Sequence, residues 1–442
     1  MLKIIENNKL LFIGIHIVIG FLATFSFFPK IYALSVFAIA LVSVVLSSNN
    51  NEEALLFASY ITGVEVFLRM IKGSISFEMG KYGVILLLVI GMFIGPTKQK
   101  VSLTFFLYIL LLLLGIVFTQ VPYGESLRKA IVFNLSGPIV LGISALYLYK
   151  RPISRTQLFE LLFLALLPVF SMVTYMYFRT PDLKEIAFGG VSLGETSGGF
   201  GPNQVATILG FGMFVLGVFL LLKIKLTGFL VLDALFLMYF TYRGLLTFSR
   251  GGIVTAAVAF ILFSLFIILY QKGSFVSIFK NILIAGVFIV AIWVYTSDVT
   301  GGMLNNRYTG RNASGIKKKD ATSGRGKIFQ MQLESFYESP LTGIGVGNGK
   351  YKRQLSGKHV TAASHNEVSR LIEEHGLVGI FILLMLFFIP ISHFYKSNNY
   401  QRAFLIAFYV FWFLTINHSA MRIAFPSFIY GLSLIIITDD EN

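Results

Sequence analysis

A histidine at the start of a predicted helix is the first candidate for acid–base chemistry. His365 stands in Ser364-His365-Asn366-Glu367, which fits a capping box with Ser364 as the N-cap and Glu367 three residues later. On that assignment His365 takes the first helical position, where the helix dipole disfavours imidazolium. A general base needs the neutral imidazole. His365 is therefore the candidate catalytic base, and an ordinary polar residue of a first helical turn is the alternative.

Two arginines have neighbours that suit the binding of an anion. Arg250 lies in Ser249-Arg250-Gly251-Gly252, and the glycines would let a bulky phosphate approach the backbone. Arg325 precedes a predicted helix, whose free N–H groups could bind the same anion. The planar guanidinium matches phosphate oxygens. Both are candidate phosphate ligands, although an arginine at a membrane surface also snorkels without any ligand.

Other ionisable residues have a less specific context. Arg243 lies seven residues before Arg250 and shares its face if the helix continues. Asp233 lies inside an apolar segment, where an acid is a functional candidate by default, although an unseen basic or hydroxyl partner would make it structural. Glu65 and Arg69 are spaced i,i+4 and are expected to pair.

Several kinds of site are absent from the sequence. It has no cysteine, so it has neither disulfides nor a thiolate nucleophile. It has no HExxH motif, no DxD-like acidic pair and no histidine cluster at ligand spacing, and so we expect neither a metal nor another cofactor. It also lacks a Walker A or GxGxxG motif. The net charge of +15 favours anionic lipids, phosphates or acidic glycans as partners, and not nucleic acid, because the charge is not gathered in a soluble domain.

Long apolar segments must hold these residues in place. The chain has 442 residues, is 56% hydrophobic and has a mean hydropathy of +0.78. Runs near the length that an α-helix needs to cross a bilayer recur throughout. We predict an all-α, polytopic membrane protein with about 12 to 14 transmembrane helices, because the shortest runs are tilted, re-entrant or miscounted. The candidate segments are 9–28, 31–47, 54–71, 80–95, 101–119, 130–149, 158–178, 203–222, 226–246, 251–270, 277–296, 376–395, 402–417 and 423–438.

A slight excess of Lys and Arg on one set of connections predicts cytoplasmic termini. The chain then divides into a first membrane bundle (1–296), an outer loop (297–375) and a last bundle (376–442). The stretch 297–376 carries 12 of the 36 Lys and Arg residues. A helix is expected after Arg325, with its apolar side on the membrane or over the bundle; that side comprises Ile328, Phe329, Leu333, Phe336 and Tyr337.

Four motifs, taken in order, resemble those of the O-antigen ligase and polymerase superfamily of bacterial envelopes. Asn203 ends a Phe-Gly-Pro-Asn sequence, and Arg250 lies within Ser-Arg-Gly. Arg325 resembles the arginine motif of the family's large periplasmic loop. His365 precedes Gly376 with ten residues between them, as in the family's His-x10-Gly pattern. The resemblance is sharpest over residues 195–380.

The match departs from the family pattern at two places. Phe329 stands where the Arg-x3-Leu motif has leucine, which keeps the residue apolar. Gly201 precedes Pro202 where relatives often have asparagine. The N-terminal segments show no motif that carries over.

The resemblance implies a metal-independent membrane glycosyltransferase of the GT-C type in the bacterial inner (plasma) membrane, with its active site facing the periplasm. It would move a glycan from undecaprenyl pyrophosphate to a hydroxyl acceptor with inversion. Arg250 and Arg325 would stabilise the pyrophosphate, with Asn203 as a further site residue. His365 would take the proton of the acceptor hydroxyl. The expected partners are the lipid-linked donor, lipid A-core or another glycan acceptor, and membrane lipids.

Four alternatives stay open on this basis. A ligase would join the glycan to lipid A-core, whereas a polymerase would extend one lipid-linked repeat with another. Transfer of the glycan to a protein is a variant of the same chemistry. A polysaccharide flippase or transporter would favour repeated halves and charges along a central path, and the sequence shows neither.

Overall fold

The computed structural model of the chain describes residues 8–95, 102–183, 185, 186, 188, 192–270, 275–318, 320, 324–355 and 364–440. It is 74% helical with almost no strand, which confirms the all-α class. The helices before the long polar segment are α1 Lys9–Leu22, α2 Phe28–Leu46, α3 Glu53–Met70, α4 Met79–Ile94, α5 Leu103–Val117, α6 Leu127–Leu148, α7 Arg155–Arg179, α8 Pro202–Leu221, α9 Leu230–Leu246, α10 Arg250–Tyr270 and α11 Phe275–Val299.

The polar segment and the end of the chain add shorter and longer helices. They are α12 Met303–Tyr308, α13 Arg325–Glu338, α14 Asn348–Leu355, α15 Glu367–Lys396, α16 Asn399–His418 and α17 Ala424–Leu432. Two three-residue strands, β1 Pro152–Ser154 and β2 Ile436–Thr438, form a parallel pair. The prediction of a membrane span at 423–438 is therefore wrong, because α17 has only nine residues and the chain then turns into β2.

The predicted polytopic membrane class is confirmed. Each predicted apolar segment contains a helix. Among the described residues, six helices (α2, α6, α7, α8, α10 and α15) are long and apolar enough to cross a membrane. Helices α1, α4, α5 and part of α11 are apolar but shorter. The predicted number of 12 to 14 spans is reached only if the shorter or more polar helices are counted with the six.

Helix α8 lies at the centre of the bundle and carries one side of the site. It packs against α7, α9 and α10, and 89% of its apolar window is buried. Gly210 of α8 faces the Gly252 carbonyl of α10 so closely that a Cβ atom would collide with it. Small residues at helix contacts let backbones approach in a membrane. The start of α10 is therefore held directly against α8.

A buried ion pair ties the early helices to the end of the chain. Glu65 and Arg69 pair as predicted, and both side chains are buried. Arg69 Nη1 also donates to the Arg422 carbonyl at 2.9 Å and to Gln204 Oε1 at 3.2 Å. Glu65 Oε2 accepts a hydrogen bond from Ala424 N at 2.6 Å. The loop between α16 and α17 is thus held by α3, which is itself bonded to α8 through Gln204.

Candidate active site

A cavity of about 650 Å³ brings together four of the predicted site residues from four separate parts of the chain: Asn203, Arg250, Arg325 and His365. Its other described lining residues are Ser192, Ser249, Gly251, Arg307, Gly326, Ile328, Phe329, Gln332, Ser364, Asn366, Ser369, Asn417 and His418. Helices α8, α10, α13 and α16 and the residues before α15 therefore share one polar site.

The turn between α9 and α10 presents Arg250 to this cavity. Phe248 has a φ of 55°, a left-handed conformation that breaks the helix between α9 and α10. Ser249 Oγ then donates to Asn203 Oδ1 at 2.8 Å. This bond joins the first turn of α8 to the turn that precedes Arg250. The motif residues Asn203 and Arg250 are thereby fixed relative to each other.

The glycines after Arg250 make room for protein atoms. A Cβ atom on Gly251 would collide with the imidazole of His418, and one on Gly252 would collide with the Ala206 backbone. The prediction that these glycines let a phosphate approach the backbone is therefore wrong in the Cβ direction of each glycine, because protein atoms already occupy that space. They let α16 and α8 approach the start of α10.

Three arginines face the cavity: Arg250, Arg307 and Arg325. Burial lowers the pKa of Arg307, and the charges of Arg250 and Arg325 lower it further. Burial also lowers the pKa of Arg325, with Arg250 as the second cause. No Asp or Glu is among the described lining residues. Mutually repelling guanidinium groups without a carboxylate counter-charge are typical of a site for a multiply charged anion.

Arg307 was not among the residues predicted from the sequence. It lies on the short helix α12, and its Nε donates to the Phe248 carbonyl at 2.9 Å. This contact docks α12 on the turn before Arg250. The only sequence signal was its place among the basic residues of the polar segment, which does not distinguish it from its neighbours.

The local structure around His365 differs from the predicted one. Helix α15 begins at Glu367, and its N-cap is Asn366, whose side chain accepts a hydrogen bond from Ser369 N at 3.0 Å. The predicted capping box from Ser364 is wrong, because the Ser364 hydroxyl bonds with the Asn366 backbone instead. His365 therefore lies before the helix and is exposed to the cavity, not at the first helical position.

Electrostatics still favour the neutral form of His365. Its ring is partly shielded from solvent, which lowers its pKa below the ordinary value of 6.5, and the charges of Arg325 and Arg422 lower it further. Arg422 Nη2 donates to the Ser364 carbonyl at 3.0 Å, so this guanidinium also fixes the backbone next to His365. A neutral imidazole beside an anion site can take a proton.

Helix α13, which begins with Arg325, is joined to α15 by buried polar side chains. Gln332 Nε2 donates to Glu373 Oε2 at 2.8 Å, and Ser369 Oγ donates to Gln332 Oε1 at 2.7 Å. Arg353 of α14 pairs with Glu373 at 3.1 Å. The predicted apolar side of α13 is only partly right: Phe329 and Tyr337 are exposed, and the buried side comprises Ile328, Met331, Gln332 and Ser335.

Two predicted candidates lie outside the lining of the cavity. Asp233 accepts hydrogen bonds from Leu226 N, Thr227 N and Thr227 Oγ1 at 2.7 to 3.0 Å, so it anchors the connection between α8 and α9. Arg243 donates to Thr180 Oγ1 at 2.6 Å. The shared face of Arg243 and Arg250 was expected only for a continuous helix, and that condition is not met, because α9 ends at Leu246.

A family comparison covers most of this site. Residues 234–384 match the family model described as O-antigen ligase. The matched range contains Arg250, Arg307, Arg325 and His365, whereas Asn203 precedes it. Among curated proteins, none matches the chain. The segment that holds the arginines and the exposed histidine is thus similar to the O-antigen ligase family.

Proposed function

We propose that the chain is a glycosyltransferase that moves a glycan from undecaprenyl pyrophosphate to a hydroxyl acceptor, with lipid A-core as the acceptor. The observation that carries the proposal is the meeting of Arg250, Arg307 and Arg325 with His365 in one cavity. The family match supports a role in O-antigen handling.

The residues suit an inverting displacement. The acceptor oxygen attacks the anomeric carbon as the bond from that carbon to the pyrophosphate oxygen breaks, and the electron pair leaves with the pyrophosphate. Arg250, Arg307 and Arg325 stabilise the charge that develops on this leaving group. The ring of His365 takes the proton of the attacking hydroxyl. Pyrophosphate already leaves well, so the leaving group needs charge stabilisation and not a proton.

A second cavity supports a donor with a lipid tail. It has a volume of about 410 Å³ and lies among α8, α9, α10 and α11. Its lining is almost wholly apolar, with Phe214, Leu237 and Phe260 among its residues. The pyrophosphate of such a donor would bind the arginines of the first cavity, and its isoprenoid chain would lie along the apolar lining of the second. We propose that the arginine cavity lies at the periplasmic face of the bacterial inner membrane.

Reconstitution in liposomes tests the proposal. The donor is an undecaprenyl-pyrophosphate-linked oligosaccharide, and the acceptors are lipid A-core and a second lipid-linked repeat. Product on lipid A-core supports the ligase, and a ladder on the lipid carrier identifies a polymerase instead. His365→Ala should retain donor binding and lose transfer. A folded His365→Ala protein with wild-type transfer would contradict the role of His365, and wild-type protein without transfer to either acceptor would contradict the function.

A further inference from the structure

The cavity has many hydrogen-bond donors and few uncommitted side-chain acceptors. Its arginines only donate, and no carboxylate is among its described lining residues. Four side-chain amide oxygens line it, and each already accepts a hydrogen bond from the protein. The pairs are Asn203 Oδ1 with Ser249 Oγ, Gln332 Oε1 with Ser369 Oγ, Asn366 Oδ1 with Ser369 N, and Asn417 Oδ1 with Asn366 Nδ2. Apart from the serine hydroxyls, which both donate and accept, the imidazoles of His365 and His418 are the remaining acceptors among the described lining side chains.

The hydrogen bonds of His418 select one tautomer. Its Nδ1 lies 2.8 Å from the Leu414 carbonyl, which can only accept, so Nδ1 carries the proton and Nε2 keeps its lone pair. Thr207 Oγ1 lies 3.4 Å from Nε2. That hydroxyl, however, donates its one proton to the Asn203 carbonyl at 2.8 Å. Among the described residues, no donor is therefore committed to Nε2.

Two contacts fix the place of this ring. The imidazole packs against Gly251, where any Cβ atom would collide with it. Asn417, which precedes His418, accepts a hydrogen bond of 3.0 Å from Asn366 Nδ2, and Asn366 follows His365. The direct neighbours of the two histidines are thus bonded to each other. This bond brings both imidazoles to the same part of the cavity wall, next to the arginines.

We propose that His418 is a positioning residue for the acceptor: its Nε2 accepts a hydrogen bond from a sugar hydroxyl that neighbours the hydroxyl attacked through His365. This inference rests on the proposed glycosyl transfer and adds the class of acceptor. Two adjacent imidazole acceptors suit a sugar with neighbouring free hydroxyls. An isolated serine or threonine hydroxyl would engage only one of them.

Matched substitutions separate positioning from proton transfer. In His418→Gln the side-chain amide can place an oxygen near the position of Nε2, which accepts a hydrogen bond but does not act as a base. In His418→Ala the acceptor is lost. We expect His418→Ala to raise the KM for lipid A-core roughly tenfold, with His418→Gln closer to wild type. Equal loss in both variants would show that the role is not hydrogen-bond acceptance.

The donor side supplies the control measurement. Hydrolysis of the undecaprenyl-pyrophosphate-linked oligosaccharide without acceptor reports on the donor site alone, and His418→Ala should lower transfer to lipid A-core by a larger factor than it lowers this hydrolysis. A parallel loss of hydrolysis and transfer, or an unchanged KM, would overturn the proposal. The proposal would also be overturned if the His418→Ala substitution lowered transfer to a serine-containing peptide as much as it lowers transfer to lipid A-core.

A spectroscopic test does not depend on activity. Nitrogen NMR of imidazole-labelled protein, assigned by the loss of one signal in His418→Gln, should show a neutral ring with its proton on Nδ1. A proton on Nε2 would overturn the inference whatever the enzyme does. Wild-type protein that shows the expected tautomer but transfers to no acceptor would instead refute the proposed function.

Discussion

The charge of Arg325 acts on His365 as well as on the cavity that it lines. Both line the same cavity, and Arg325 is one of the charges that lower the pKa of His365. A lowered pKa keeps the imidazole neutral as the pH falls, so transfer is lost only at a pH below the ordinary range of histidine. Under the proposed function, the arginine would therefore support the base and the leaving group together.

This coupling predicts a pH shift. In Arg325→Gln the positive charge is lost, so the pKa of His365 rises towards 6.5, and the acidic decline in transfer should begin at a higher pH than in wild type. Arg325→Lys keeps the charge and should keep the wild-type midpoint, even if its rate is lower. The measurement is the initial transfer rate between about pH 5 and 8. Identical midpoints for Arg325→Gln and wild type would exclude the coupling.

Arg307 provides a second test at this scale. Loss of a charged hydrogen bond to the donor costs about 1.5–3 kcal/mol, so Arg307→Ala should lower kcat/KM roughly 10- to 100-fold. Arg311 lies four residues later and is exposed, and Arg311→Ala is the matched control with near wild-type kinetics. Inhibition by inorganic pyrophosphate should weaken only in Arg307→Ala. Equal behaviour of the two variants would mean that Arg307 does not contact the anion.

The sequence predicted the site only where its residues stand in local motifs. Asn203, Arg250 and Arg325 have such contexts. Arg307 and His418 enter the cavity through tertiary contacts, with the Phe248 carbonyl and with Gly251. Those contacts join residues far apart in the chain, and no spacing along one segment reveals them.

At the scale of elements, a break inside α15 allows its polar start to turn towards the site. Gly376 has φ 62° and ψ −137°, a conformation that is essentially restricted to glycine. A Cβ atom there would meet the backbone of Pro340, Leu341 and Gly343. The loop after α13 therefore packs directly into the break. Gly343 itself has φ 67°, as the glycine-rich sequence of this loop suggests.

Gly376→Ala should therefore destabilise the protein and displace His365. The backbone strain alone is about 1–3 kcal/mol, and the collisions add to it. Gly14→Ala is the matched control, because Gly14 lies within α1 and a Cβ atom there would have no neighbouring atoms within 4 Å. Thermal unfolding in detergent and the transfer rate should both fall for Gly376→Ala and stay near wild type for Gly14→Ala. An equal response of the two would contradict the role of the break.

Helix positions follow well from the sequence, and helix ends follow less well. Long apolar runs predict where α1 to α11 lie because a span needs a fixed length of apolar chain. Composition does not distinguish a membrane helix from a short helix followed by a strand, as in α17 and β2. Capping also failed at Ser364, because Asn366 is an equally good N-cap residue.

At the scale of the whole molecule, buried charges connect parts of the chain that are distant in sequence. Arg69 reaches the Arg422 carbonyl, and Arg422 in turn donates to the Ser364 carbonyl. Burial, followed by the charge of Arg370, lowers the pKa of Arg422 to about 10. A path of hydrogen bonds thus runs from α3 to the backbone beside His365.

Removing one charge of the buried Glu65–Arg69 pair should lower the stability of the protein more than removing both charges. Arg69→Met leaves the carboxylate of Glu65 buried without its guanidinium, which costs about 3–5 kcal/mol. Arg69→Met combined with Glu65→Gln removes both charges and should recover part of that loss. The midpoint of thermal unfolding, measured alongside transfer, compares the three proteins. A double variant that is less stable than Arg69→Met would contradict this account.

The first turns of α15 also constrain how the protein can be made. Glu367, Arg370, Glu373 and Glu374 are all buried, yet they directly precede a long apolar stretch that can enter the bilayer as soon as it is synthesised. Their partners include Gln332 and Arg353, which emerge from the ribosome earlier. The wall of the arginine cavity also contains Asn417, which emerges later. A nascent chain that ends at Lys396 can therefore insert its preceding spans and still lack a complete cavity. The cavity is therefore complete only after the segment that contains Asn417 has also been synthesised.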